Sequence, residues 1–157
     1  MKRTIIYLVI FALILLAPVD RLDVAKLRPV EVIYIYKEED RVILQTDTGD
    51  MGYGPDAIQA LADMRSKSPA VIYLDTAEFL LIGEGASGAV ETLRDQLKEN
   101  VKVCGAKGHL DLSLIGEYLA VHGEFPALKT WNADTRLPLV YKEKEMLKML
   151  KNIEKSA

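Results

Sequence analysis

Residues 4–19 (TIIYLVIFALILLAPV) carry no charge, and the only charges before them are Lys2 and Arg3. A basic start followed by an unbroken apolar run is the pattern of an export signal or a membrane anchor, not of an element in a soluble core. The fold must therefore be built from residues further along. As a helix at ~1.5 Å per residue the run spans about 24 Å, a little short of a bilayer core of ~30 Å, so its length leaves a cleaved signal peptide and a retained anchor both open. The flanks favour the anchor: there is no small-x-small cleavage site, and Ala17 is followed by Pro18. With Lys2 and Arg3 held inside, residues from Asp20 onward lie outside. The expectation is a single-pass cell-membrane protein with its domain on the extracytoplasmic side, and a secreted form is the alternative.

Of the 20 basic residues two are Lys2 and Arg3, which leaves the rest of the chain with 18 against 23 acidic ones. That acidic balance argues against a nucleic-acid partner, because phosphate contacts need clustered Lys and Arg. The length of 157 residues suits one globular domain. We divide it into residues 1–19, signal anchor or signal peptide, residues 20–29, a connector, and residues 30–157, a single α/β domain. Cys104 is the only cysteine, so neither an intramolecular disulfide nor a cysteine metal cluster can form, and an apolar neighbourhood makes its thiol a buried, inert one.

Residues 30–36 and 41–46 are rich in β-branched and aromatic side chains around Lys37-Glu38-Glu39-Asp40, which predicts a β-hairpin. Apolar residues on both faces of its first strand imply cover on both sides. Three glycines within residues 48–54 predict a loop. Pro55 then suits a first helical turn, and Ala57, Ala60, Leu61 and Met64 recur at helical spacing. Residues 70–74, 79–82 and 101–104 read as buried strands, residues 87–98 as a helix, and Asp111 as the cap of a helix through His122 that buries Leu112, Ile115 and Leu119. Met146, Leu147, Leu150 and Ile153 mark a final amphipathic helix with Lys144, Lys148, Lys151 and Lys155 on its solvated face. The fold expected is α/β (α+β), a mixed sheet of about five strands packed with four to five helices.

Gly83-Glu84-Gly85-Ala86-Ser87-Gly88 is a literal G-x-G-x-x-G between a strand and a helix, as a dinucleotide-binding turn requires. Against it, Glu84 places negative charge beside the phosphates, and the next strand ends on Cys104-Gly105-Ala106-Lys107 with no acid for a ribose. Asp47-Thr48-Gly49 and Asp75-Thr76-Ala77 resemble the paired turns of pepsin-like proteases, but Ala77 stands where that turn needs glycine. His109 and His122 have no second ligand beside them for zinc. His122 falls on the face of Ile115 and Leu119 and reads as half-buried, and Tyr118 and Trp131 read as core. No catalytic residue, metal ligand or cofactor is assigned.

From Gly54 onward the order of features is that of a known family: Ala57-Ile58-Gln59-Ala60-Leu61, then Ile72-Tyr73-Leu74, then Phe79-Leu80-Leu81-Ile82-Gly83-Glu84, then a helix and Val101-Lys102-Val103. This resembles the N-terminal domain of the Ger(x)C family, the C subunits of spore-germination receptors. Where that family carries a lipidated cysteine the chain has Ala17-Pro18-Val19-Asp20, and Asp75-Thr76 stand where a histidine is common. The resemblance implies a non-enzymatic extracytoplasmic domain that contacts other envelope proteins, held to the membrane through residues 4–19. Asp50, Met51 and Tyr53 in the glycine-rich loop and Asp75, Thr76 and Glu78 in the later turn are the candidate contact residues, since loops on a rigid scaffold carry contacts. The alternative is a small-ligand or nucleotide-binding domain that uses Gly83, Gly85 and Gly88.

Overall fold

The computed structural model describes residues 27–143 and 146–150. The hairpin forms as expected, from β2 (Val32–Glu38) and β3 (Arg41–Thr46), with Glu38 opposite Arg41. Glu39 at the tip has a φ of 54°, the left-handed backbone that a two-residue hairpin turn demands. Val32, Ile33, Tyr34 and Ile35 are all buried, so both faces of β2 are covered. β6 (Phe79–Ile82) is likewise buried throughout and pairs in parallel with β2, then with β7 (Lys102–Lys107). Parallel strands covered on both faces read as continuous apolar runs, which is why these segments were visible in the sequence.

The glycine-rich stretch departs from expectation. Met51–Gly54 is not loop but β4, antiparallel to β3 at the sheet edge. Glycine is a poor strand former in general, yet here it lets another backbone come close. That backbone is α1 (Ala57–Lys67), whose Asp56 cap accepts the Gln59 N–H at 2.8 Å and which buries Ala57, Ala60, Leu61 and Met64. Pro55 thus precedes the cap instead of entering the first turn. β1 (Leu27–Pro29), expected as connector, pairs in parallel with β5 (Val71–Tyr73) in a separate two-stranded sheet.

α2 (Ser87–Leu93) is shorter than expected and continues as a 3₁₀ turn, Arg94–Gln96. Asp111 caps a 3₁₀ turn, Leu112–Leu114, that leads into α3 (Ile115–His122). The predicted final helix is a strand. β9 (Met146–Leu150) pairs antiparallel with β8 (Leu139–Glu143), which had not been foreseen, and β8 pairs in parallel with β7. A short apolar run such as MLKML satisfies helical and alternating patterns equally, and the open backbone of β8 decides the matter. Ile153, Lys144, Lys151 and Lys155 lie outside the described residues.

The sheet is therefore seven-stranded and mixed, in the order β4-β3-β2-β6-β7-β8-β9, with three α-helices among the described residues. One face packs against α1, α2 and a return segment through Leu128 and Trp131; the other packs Val32, Tyr34, Phe79, Leu81 and Cys104 against Ile115 and Leu119 of α3.

Candidate functional site

Residues 47–50 and 75–78 meet at the amino end of the parallel strands, on either side of the junction between β1 and β2. The Asp47 carboxylate accepts the Glu31 N–H at 3.2 and 3.3 Å, and its own N–H donates to the Val32 carbonyl. The Thr76 hydroxyl accepts the Val30 N–H at 2.9 Å and lies 3.0 Å from the Val30 carbonyl. The Asp50 carboxylate accepts Arg28 at 3.1 Å and the Thr48 hydroxyl at 2.8 Å. Burial opposes the Asp50 charge, but the hydrogen bonds from Thr48, Ser68 and Arg28 outweigh it and hold the carboxyl below the usual range. Asp50 and Thr76 thus fasten neighbouring segments, and Thr76 is exposed together with Asp75 and Glu78. Met51 and Tyr53 lie along the edge strand. The Tyr53 N–H donates to Asp63 of α1 at 2.9 Å, its hydroxyl lies 2.6 Å from the Met51 sulfur, and its ring sits 5.1 Å beneath the Lys67 amine.

Glu31 belongs to the same pole and was not foreseen. Partial burial raises its pKa, and the charges of Asp47, Glu78 and Glu117 raise it further. Glu117 lies 86 positions away on α3, so no local spacing reports this cluster. Between the ordinary value of 4.5 and the raised one, the folded chain binds more protons than the unfolded chain, so stability falls as pH rises through that window. Glu31→Gln should therefore melt higher than the parent at pH 7, and the difference should vanish by about pH 4, near the ordinary carboxylate value. Melting temperatures at the two pH values check this; a variant less stable at pH 7 contradicts it.

At the opposite end, the loop after β6 runs to α2 on one face and the loop after β7 to α3 on the other. Diverging loops of this kind open a crevice at the carboxyl ends of parallel strands. Two hollows lie there, one of about 240 Å³ lined by Tyr34, Tyr36, Glu84, Lys107 and His109, and one of about 350 Å³ lined by Gly83, Gly85, Ser87 and Lys107. The Tyr34 hydroxyl donates to the Gly108 carbonyl at 3.0 Å, and burial together with neighbouring Tyr36 pushes its pKa up to about 12. The glycines have separate explanations. A Cβ on Gly83 would stand 2.5 Å from the Tyr36 Cβ, and Gly85 has a φ of +74°, while a Cβ on Gly88 would meet nothing within 4 Å. A dinucleotide fingerprint uses its third glycine for tight helix–strand packing, and Gly88 has no such role.

The remaining singled-out residues are dispersed. Asp47 and Asp75 share no hydrogen bond among the described residues, and Asp47 is committed to Glu31. His122 is exposed, not half-buried; its Nδ1 lies 3.0 Å from the Tyr118 carbonyl and its ring stacks on Tyr118. Trp131 is core, Tyr118 lies partly buried against the α3-side cluster, and burial pushes the Cys104 thiol up to about 12. No group of His, Cys, Asp and Glu among the described residues is arranged to hold a metal. No described helix is long and apolar enough to cross a membrane; residues 4–19 lie outside the described part.

The fold defines a class, an open mixed α/β sheet layered on both faces. Compared with family models, with curated proteins and with solved structures, the chain finds no match in any of the three.

Proposed function

We propose that this chain is a membrane-anchored extracytoplasmic domain that works by contact with other envelope proteins, in a setting related to spore germination. The observation that carries this reading is the pole at the amino end of the parallel strands. Both turns offered by the sequence as contact residues are fastened there to Arg28, Val30 and Glu31, the described residues near the apolar run in sequence. Residues 20–26 reach at most about 25 Å when fully extended, so an anchor at residues 4–19 keeps this pole close to the bilayer and to whatever is embedded in it. The order of motifs shared with the Ger(x)C N-terminal domain supports the same reading. Crosslinking of the full-length protein in its native membrane, followed by pulldown and mass spectrometry, tests it. Integral envelope proteins should be recovered, and Asp75→Lys combined with Glu78→Lys should lose them while leaving the protein in the membrane. Recovery as a processed, partner-free soluble protein contradicts the proposal.

A second reading, a site for a small anionic ligand, is favoured by the crevice where Lys107 faces the Gly83–Gly85 turn. Gly85→Asp cannot test it, because a side chain at φ +74° strains the turn with or without ligand. Gly88→Asp can, since Gly88 is exposed with open space around it. If nucleotides or simple phosphates bind there, Gly88→Asp should weaken them at least about tenfold, a difference of ~1.4 kcal/mol, with the melting temperature unchanged. Titration that detects no binding to the parent protein excludes this reading.

A further inference from the structure

The small β1–β5 sheet stands apart from the seven-stranded one, and its outward face is wholly apolar. The pair is parallel and in register, so Leu27 lies beside Val71 and Pro29 beside Tyr73, all four on one side. Arg28 and Ile72 alternate to the other side, where Arg28 meets Asp50 at 3.1 Å and Ile72 joins the core. Val71 is 49% and Tyr73 41% exposed, Pro29 is exposed as well, and Leu27 is half-buried.

The place of this patch in the chain sets it apart from the other exposed apolar side chains. It begins at Leu27, and only residues 20–26 separate it from the apolar run 4–19, a reach of at most about 25 Å. Its two ends also differ in charge. Arg65, in the last turn of α1, shares a hollow of about 320 Å³ with Pro69 and Val71 at the end where the chain arrives, whereas the exposed Asp75 and Glu78 follow Tyr73 at the other end. A bilayer interface suits this combination, because tyrosine rings settle at headgroup level, apolar groups reach the acyl boundary and cations meet phosphates. An anchored domain also needs no affinity from solution, so a patch too small to recruit a free protein is enough to orient a tethered one. We propose that the outward face of the β1–β5 sheet rests on the outer surface of the lipid bilayer, with Arg65 among the headgroups. This contact depends on the anchored reading above and adds an orientation to it: Leu27 and Val71 lie against lipid, and Asp75 and Glu78 stay in water, open to envelope proteins.

The test uses the full-length protein in vesicles of phosphatidylcholine and phosphatidylglycerol, where buried Cys104 takes no label. Val71→Cys carrying an environment-sensitive fluorophore is compared with Ile58→Cys, which is 44% exposed but lies where α1 begins, just after β4 ends beside the far end of the hairpin. Lipid with a nitroxide near its headgroup should quench the Val71 label at least about twofold, as contact at that depth requires, and leave the Ile58 label unchanged. Tyr73→Asp should lower the quenching at Val71. Equal quenching at the two sites, or quenching indifferent to Tyr73→Asp, overturns the proposal. So does a Val71 label that shifts to the blue without lipid quenching, since another part of the chain or a second copy then covers the patch. Flotation of the vesicles after an alkaline carbonate wash separates two failures: protein that floats with an unquenched Val71 label keeps the anchor and loses the lipid contact, whereas protein that does not float loses both.

Discussion

Gly52→Val is expected to lose at least about 3 kcal/mol of folding stability, the top of the usual range for overpacking. A Cβ at Gly52 would stand 2.6 Å from both the nitrogen and the Cβ of Met64 and closer still to the Ala60 carbonyl oxygen. At Gly54 it would stand 2.5 Å from the Ala60 nitrogen. These obstacles are mainly helix backbone, which cannot rotate aside as a side chain can. The choice is then between pushing α1 off the sheet, which exposes Ala57, Ala60, Leu61 and Met64, and breaking β4 away from β3. Either route should shift the urea midpoint strongly, read through the fluorescence of Trp131, the single tryptophan, which is 3% exposed. A Gly52→Val protein with the parental midpoint would mean that α1 does not cross β4 at this distance.

Phe79→Ala should cost about 3–5 kcal/mol, the range for deleting a buried aromatic ring. Phe79 is fully buried at the start of β6, makes an edge-to-face contact with Phe125 at 5.9 Å between ring centres, and has the Lys102 amine 5.0 Å above its ring. Its loss would leave a cavity between the central strand and the segment that carries the chain from α3 to Pro126, whose carbonyl accepts the Val103 N–H at 2.8 Å. Leu114→Ala is the internal comparison: with 63% of its surface exposed it should change stability by less than ~0.5 kcal/mol in the monomer. Urea unfolding of both variants checks the contrast, and equal losses would contradict the burial assigned to β6.

What was legible in the sequence was whatever local pattern dictates. The hairpin, α1, β6, β7 and the run into α3 announce themselves through alternation, helical spacing or continuous apolar stretches. What was not legible depends on partners distant in the chain. β4 hides behind Gly52 and Gly54, whose value lies in the approach of α1. β8 and β9 are ambiguous alone and become strands because the edge of β7 offers pairing. At the candidate pole, the contact residues Asp50 and Thr76 also fasten the chain around Arg28 and Val30, which no local pattern announces, since short polar side chains in turns satisfy backbone groups. Glu117 joins the pole only through the packing of α3, where a Cβ on Gly116 would meet the Glu31 carboxylate at 2.8 Å.

The central claim, a domain held on the outer side of a membrane, is tested most directly by thiol labelling in intact cells. The only native cysteine is buried, so a cysteine placed at exposed Asn100 supplies the single reactive thiol. A membrane-impermeant maleimide added to cells stripped of their wall should label Asn100→Cys fully, on full-mass protein that stays with the membrane after alkaline carbonate washing. Labelling that appears only after the cells are lysed, or full-mass protein released by the wash, would contradict it.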